Sequence, residues 1–208
     1  MAAMTASASP GWAVIEWAAA GRGLEAQSGD LHVVSAFPDG ALVALIDGLG
    51  HGPKAAAAAE AAATVLDANA AAPVLDLLQR CHAGLRKTRG AVMTLASFDA
   101  RLSCMTWAGV GNVDAALLRA GRRWNGNAAI ALRGGVVGYQ LPPLRADTLI
   151  VAPGDTLVMA TDGIHSGFTE GLSMDRPPPE MAQHILDRFA KASDDAHVVV
   201  ARYRGAGP

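Results

Sequence analysis

The sequence predicts an α+β layered sandwich, and three observations carry that prediction. Strand-like runs come in groups, two helix-like runs sit side by side, and the middle of the chain changes from a helical period to short β-like runs punctuated by Asp, Gly and Asn. An alternating parallel α/β fold would intersperse single helices between single strands, which this chain does not do.

In order, WAVIEWA (12–18) and LHVVSAF (31–37) are strands flanking a glycine-rich turn, and ALVALID (41–47) follows the turn signal PDG. PKAAAAAEAAATVLDANA is a helix: Pro53 stands near its first position, where a missing N–H costs little, and alanine heads the propensity scale. Pro73 opens a second helix, PVLDLLQRCHAGLRK, with apolar residues at 74, 77, 78, 81 and 85. AVMTLASFD (91–99), RLSCMTWAGVG (101–111) and NVDAALLRAG (112–121) form an antiparallel meander. DTLIVAP and GDTLVMATDG add two strands around Pro153-Gly154, RPPPEMAQHILDRFAKAS is a helix entered through prolines, and AHVVVARYR is a closing strand.

The 208 residues suit one domain, with no internal repeat and no linker. A charged fraction of 17% beside 51% hydrophobic residues excludes a disordered chain, and 17 basic against 19 acidic residues leave no field to select nucleic acid or an acidic membrane. Cys81 and Cys104 are too few for a disulfide framework or a thiolate metal site, so they read as reduced core thiols in a cytoplasmic protein. The N-terminal stretch has no basic residue before its apolar part, and Glu16 interrupts that part, which argues against a signal peptide. No run reaches the length of a membrane span.

Chemistry concentrates at strand ends. VALIDG ends in Asp47 and LVMATDG in Asp162, so two apolar strands each deliver a carboxylate into an Asp-Gly turn. A carboxylate at the rim of a core is costly unless a cation meets it, and neither motif carries an adjacent Lys or Arg. Asp30, in QSGDLHVV, and Asp194-Asp195, in KASDDAHVVV, also sit at strand edges. Carboxylates, a backbone carbonyl and waters make an all-oxygen set suited to Mg²⁺ or Mn²⁺, whereas zinc would want nitrogen or sulfur. The missing Cβ of Gly48 would let its carbonyl approach a metal. AGVGNV is no dinucleotide fingerprint, because no helix follows it; its glycines serve a turn and Asn112 a positive-φ position. His32, His82, His184 and His197 lack metal-ligand spacing and are structural; Trp12, Trp17 and Trp107 belong to the core.

With SGD at 28–30, DGLGHG at 47–52, AVMTL at 91–95, AGVGNV at 108–113, RGGVVG at 133–138, GDTLVMATDGI at 154–164 and SDDAHVVV at 193–200, the chain resembles the metal-dependent 2C-type protein phosphatases, in their RsbX-like and SpoIIE-like bacterial branch. The resemblance covers nearly the whole chain. It implies a four-layer α-β-β-α sandwich, two antiparallel sheets flanked by helix pairs, and two Mn²⁺ or Mg²⁺ ions at one end. It implies that Asp47 bridges both ions, Gly48 offers its carbonyl, Asp30 contacts one ion directly or through water, and Asp162 with Asp194 or Asp195 holds the other. Asp47 and Asp162 are then the catalytic pair. On the substrate side, Arg22 is the nearest candidate for a phosphate-gripping arginine, and His51 stands two places beyond the position where larger relatives put a histidine, which is Leu49 here. The implied activity is hydrolysis of phosphoserine or phosphothreonine on a STAS-domain regulator of a stressosome-like or anti-sigma pathway, in stress-response signalling. The alternative is a catalytically weak phosphoprotein-binding module of the same fold. The sequence leaves the oligomeric state open, and a monomer is compatible with it.

Overall fold

The computed structural model describes residues 14–24, 27–121 and 126–206; Trp12 and Ala13, the first two residues of the predicted strand 12–18, lie outside them. The chain begins with β1 (Ile15–Arg22), β2 (Asp30–Phe37) and β3 (Gly40–Gly48), followed by α1 (Pro53–Asp67) and α2 (Val74–Gly84). The meander is β4 (Ala91–Asp99), β5 (Cys104–Val110) and β6 (Asp114–Leu118), and then come β7 (Ala128–Ala129), β8 (Asp147–Ile150), β9 (Thr156–Ala160), α3 (Pro178–Phe189) and β10 (Ala196–Tyr203). Two five-stranded sheets result, ordered β1-β10-β9-β6-β7 and β2-β3-β4-β5-β8. Every strand pairing is antiparallel.

The sheets face each other across a core that takes Val43, Leu45, Phe98, Met105 and Trp107 from one side and Leu117, Leu157, Met159, Val199 and Tyr203 from the other. The rings of Phe98 and Tyr203 stack between them, with centroids 5.9 Å apart. The intervening residues of β3, Leu42, Ala44 and Ile46, point outward and pack under α1 and α2. Burial on both faces explains why β3 reads as an unbroken apolar run. All five apolar positions foreseen for the second helix, 74, 77, 78, 81 and 85, are buried in this layer. The alanines of α1 let its backbone come close to the sheet: Ala55, Ala58, Ala59 and Ala62 are all buried against it. On the opposite face α3 buries Met181, Ala182 and Ile185 against β10, β9 and β1.

The layered sandwich expected from the sequence is therefore present. A helix pair covers one sheet, while among the described residues the other sheet carries the single helix α3. β1 runs further than its apolar pattern indicated, through Arg22, because its alanines and Gly21 pair with β10 in register from Ile15↔Tyr203 to Arg22↔Ala196. Tertiary pairing overrides weak strand propensity there. The two-residue β7 was not foreseen. No described helix is long and apolar enough to cross a membrane.

Candidate metal centre

The acidic residues meet because of strand register. In the β2–β3 hairpin Asp30 stands directly opposite Asp47. β9 and β10 bring the other two segments to the same end: Asp162 follows β9 by two residues, and Asp194-Asp195 immediately precede β10. Thr161 connects the sheets, since its backbone N–H donates to the His197 carbonyl (3.0 Å), its hydroxyl accepts from the His197 N–H (2.9 Å), and the same hydroxyl donates to Asp30 Oδ2 (2.8 Å).

Asp47, Asp162 and Asp194 line one cavity of about 420 Å³, together with His51, Asn112, Leu49, Gly50, Val92 and Val136. Asn112 had been assigned a positive-φ turn, but that conformation belongs to Gly111 (φ 98°). The Asn112 side chain instead donates to Asp162 Oδ2 at 2.8 Å and holds that carboxylate in place. The only sign of this in the sequence was its position in AGVGNV.

The remaining candidates stand apart from the cavity. Asp30 lies behind it, in a separate space of about 240 Å³ shared with Arg22, Ser28, His32 and His197. Arg22 is thus not beside the three cavity carboxylates; its guanidinium donates to the Lys191 carbonyl at 2.5 Å. Asp195 accepts from Leu24 N (2.8 Å), Gly29 N (2.9 Å) and Ser28 Oγ (2.9 Å), so it ties down the loop between β1 and β2. Burial pushes its pKa up, yet these hydrogen bonds and the nearby His51 bring it below the usual carboxylate value. Its neighbour Asp194 faces the cavity.

The two Asp-Gly turns share a packing requirement. A Cβ on Gly48 would lie 2.1 Å from the Ala55 carbonyl oxygen, and one on Gly163 would lie 1.7 Å from the Asp195 carbonyl oxygen. Each glycine therefore lets another backbone press against the turn that presents an aspartate. The Cβ space at Gly48 is taken by α1, which is a reason for glycine independent of any metal.

Three of the four histidines given structural roles, His32, His82 and His197, make contacts that fit them. His32 Nδ1 and His197 Nε2 are 2.9 Å apart, joining β2 to β10 at the edge of the sandwich, and His82 Nδ1 accepts from Gly138 N at 3.0 Å. Trp17 packs edge-on against His32, and Trp107 is buried.

Charge is concentrated and poorly solvated at this end. Burial, followed by repulsion from Asp30, Asp162, Asp194 and Asp195, raises the Asp47 pKa to about 8. Burial also raises Asp30 to about 7, against the lowering effect of the Thr161 hydrogen bond. Among the described residues no three acidic, His or Cys side chains close around one point as a ready-made cage. The donor set nevertheless fits a hard divalent cation: it is all oxygen, mutually repelling, and lines an open cavity with room for the waters that Mg²⁺ retains.

These shifts predict an unusual stability profile for chelator-treated protein. A carboxyl whose folded pKa is raised holds its proton more tightly in the folded state, so its destabilising effect sets in above the unfolded value of 3.8 and grows until about pH 8. Acidification from pH 8 to 6.5 should raise the melting temperature by roughly 3–6 °C. Below that window the buried His32 and His197 act the other way: burial lowers both, His197 to about 3, so the unfolded chain protonates first. Saturating Mn²⁺ should abolish the rise, and a melting temperature that falls from pH 8 to 6.5 without metal would contradict the picture.

Comparison with known proteins agrees with the geometry. The family model described as Stage II sporulation protein E (SpoIIE) matches residues 38–204. No curated protein matches the chain. A solved structure described as "The bacterial stressosome: a modular system that has been adapted to control secondary messenger signaling" is 29% identical, with a TM-score of 0.81 over 90% of this chain and 99% of that one. RsbX in complex with magnesium is 20% identical, with a TM-score of 0.79 over 91% of this chain and 95% of that one. The PP2C phosphatase domain with a fragment of the regulatory domain of SpoIIE from Bacillus subtilis is 18% identical, with a TM-score of 0.73 over 93% of this chain and 64% of that one. With a family match that runs from the turn before β3 to the end of β10, the chain belongs to the SpoIIE family, and it shares the fold of the PP2C phosphatase domain of SpoIIE.

Proposed function

We propose that the chain hydrolyses phosphoserine or phosphothreonine on a partner protein in a reaction dependent on Mn²⁺ or Mg²⁺, without a covalent phosphoenzyme. The observation that carries this reading is the convergence of Asp47, Asp162 and Asp194, from three separated segments, on one cavity in which Asp47 is desolvated and repelled by its neighbours. When bound, two such ions supply charge neutralisation at the phosphoryl oxygens and a water of lowered pKa.

Asp47, Asp162 and Asp194 would be the oxygen donors that hold the ions, with the Gly48 carbonyl beside them. Asn112 orients Asp162. Asp30, held by Thr161, would contact the centre directly or through water, and its negative charge beside Asp47 would favour a cation there. Asp195 is the positioning member of its pair, because its carboxylate is already engaged by three donors. His51 stands at the cavity wall before α1, where it can meet the substrate.

The partner we propose is a phosphorylated STAS-domain regulator of a stressosome-like complex. The support is the stressosome-described structure, which matches over nearly its full length at 29% identity. Hydrolysis of p-nitrophenyl phosphate and of a phosphorylated STAS protein, with and without Mn²⁺, tests the reading. Metal-dependent turnover of both is expected, with the phosphoprotein preferred by kcat/KM. Binding of the phosphoprotein with no turnover would replace it by the binding-module alternative, and fast turnover of small phosphoesters with none of proteins would remove the protein substrate.

A further inference from the structure

With ions held by Asp47, Asp162 and Asp194 the cavity would offer point charges to a phosphoryl group, and a guanidinium at the rim would add the directional, two-pronged donors that orient it. Arg22 faces the other space, and Lys191 is engaged through Nζ with the Asp162 backbone carbonyl at 2.5 Å. A different arginine is brought to the rim by strand register.

The β3–β4 ladder ends with the pairs Asp47↔Val92 and Gly48↔Ala91. It continues one step into the loops, because Leu49 N donates to the Gly90 carbonyl at 3.0 Å. The next pair in that register sets Arg89 opposite Gly50, a residue of the cavity wall. The side chain follows: a Cβ built on Gly50 would lie 2.7 Å from Arg89 Nη1, so the bare glycine, at φ 89°, is what lets the guanidinium lie there. Gly90 fixes the approach, since a Cβ on it would sit 2.7 Å from Val136 Cγ1, another wall residue. Arg89 is exposed, and among the described residues no hydrogen bond or ion pair engages its guanidinium. Its donors are available for a fork-shaped contact with two oxygens of one phosphate.

We propose that Arg89 grips the phosphoryl group of the substrate at the cavity rim, the role for which Arg22 was the sequence candidate; this rests on the phosphatase reading above. Because the residue is exposed, its replacement leaves the fold and the carboxylates intact.

The test compares wild type, Arg89→Ala and Arg89→Lys in two measurements. Steady-state hydrolysis of p-nitrophenyl phosphate with saturating Mn²⁺ should show KM raised about tenfold or more in Arg89→Ala with kcat changed much less, and an intermediate KM in Arg89→Lys, which keeps the charge and loses the fork. Calorimetric titration with inorganic phosphate in the presence of Mn²⁺ should show the same weakening, while Mn²⁺ affinity itself stays at the wild-type value. Equal phosphate affinity in wild type and Arg89→Ala, or no phosphate binding by wild type, overturns the assignment. A wild type without turnover defeats the functional reading alone, because the phosphate titration still decides the role of Arg89.

Discussion

Asp47→Asn is expected to reduce Mn²⁺-dependent phosphatase activity by about 10³-fold or more, while making the metal-free protein more stable at pH 8. The two effects have one cause. Asp47 sits at the end of β3 opposite Asp30, largely withdrawn from water and repelled by four other carboxylates, which is why its pKa rises to about 8. Without a cation this arrangement opposes folding, so an uncharged isostere relieves it. With cations bound the same charge would act as a donor, and the amide would replace it with a weaker one. Activity assays with Mn²⁺, together with melting curves in chelator, measure both. Turnover close to wild type, or unchanged Mn²⁺ affinity by calorimetry, would remove Asp47 from the centre; an unchanged melting temperature at pH 8 would refute the electrostatic account of its environment.

Gly163→Ala is expected to destabilise the protein by about 2–3 kcal/mol, lowering the melting temperature by roughly 4–12 °C, and to weaken Mn²⁺ binding as well. The added methyl would begin 1.7 Å from the Asp195 carbonyl oxygen, so the backbone before β10 must move. That segment carries Asp194 to the cavity, and the Asp195 carboxylate holds the loop between β1 and β2 through Leu24, Ser28 and Gly29. Displacing it therefore disturbs a proposed ligand and a loop anchor together. Gly121→Ala provides the contrast, because a Cβ there meets nothing within 4 Å. Equal melting temperatures for the two variants would show that the contact at Gly163 can be relaxed at no cost.

Much of this protein was legible before its structure. The apolar period of α2, the prolines that open α1 and α3, and the turn residues bounding β3, β4 and β9 are local signals, and local signals survive without knowledge of neighbours. The carboxylates were legible as well, since an aspartate ending an apolar strand is chemically conspicuous. What sequence could not divide was Asp194 from Asp195. Adjacent residues of one type have the same local context, and only the donors of a loop about 170 positions away engage one and leave the other facing the cavity.

Arg22 and Asn112 show the same boundary from the other side. Arg22 was singled out by its nearness in sequence to Asp30, yet the pairing of β1 with β10 carries it to Lys191. Asn112 passed for a turn residue until β6 and β9 brought it to Asp162. By itself the sequence determined which residues form strands and helices and that acidic groups would gather at strand ends, because propensity, period and the cost of a buried charge act over a few residues. Register across the two sheets decided which of those groups share a cavity, which are held as anchors, and which arginine reaches the rim, because those outcomes depend on pairings between strands far apart in the chain.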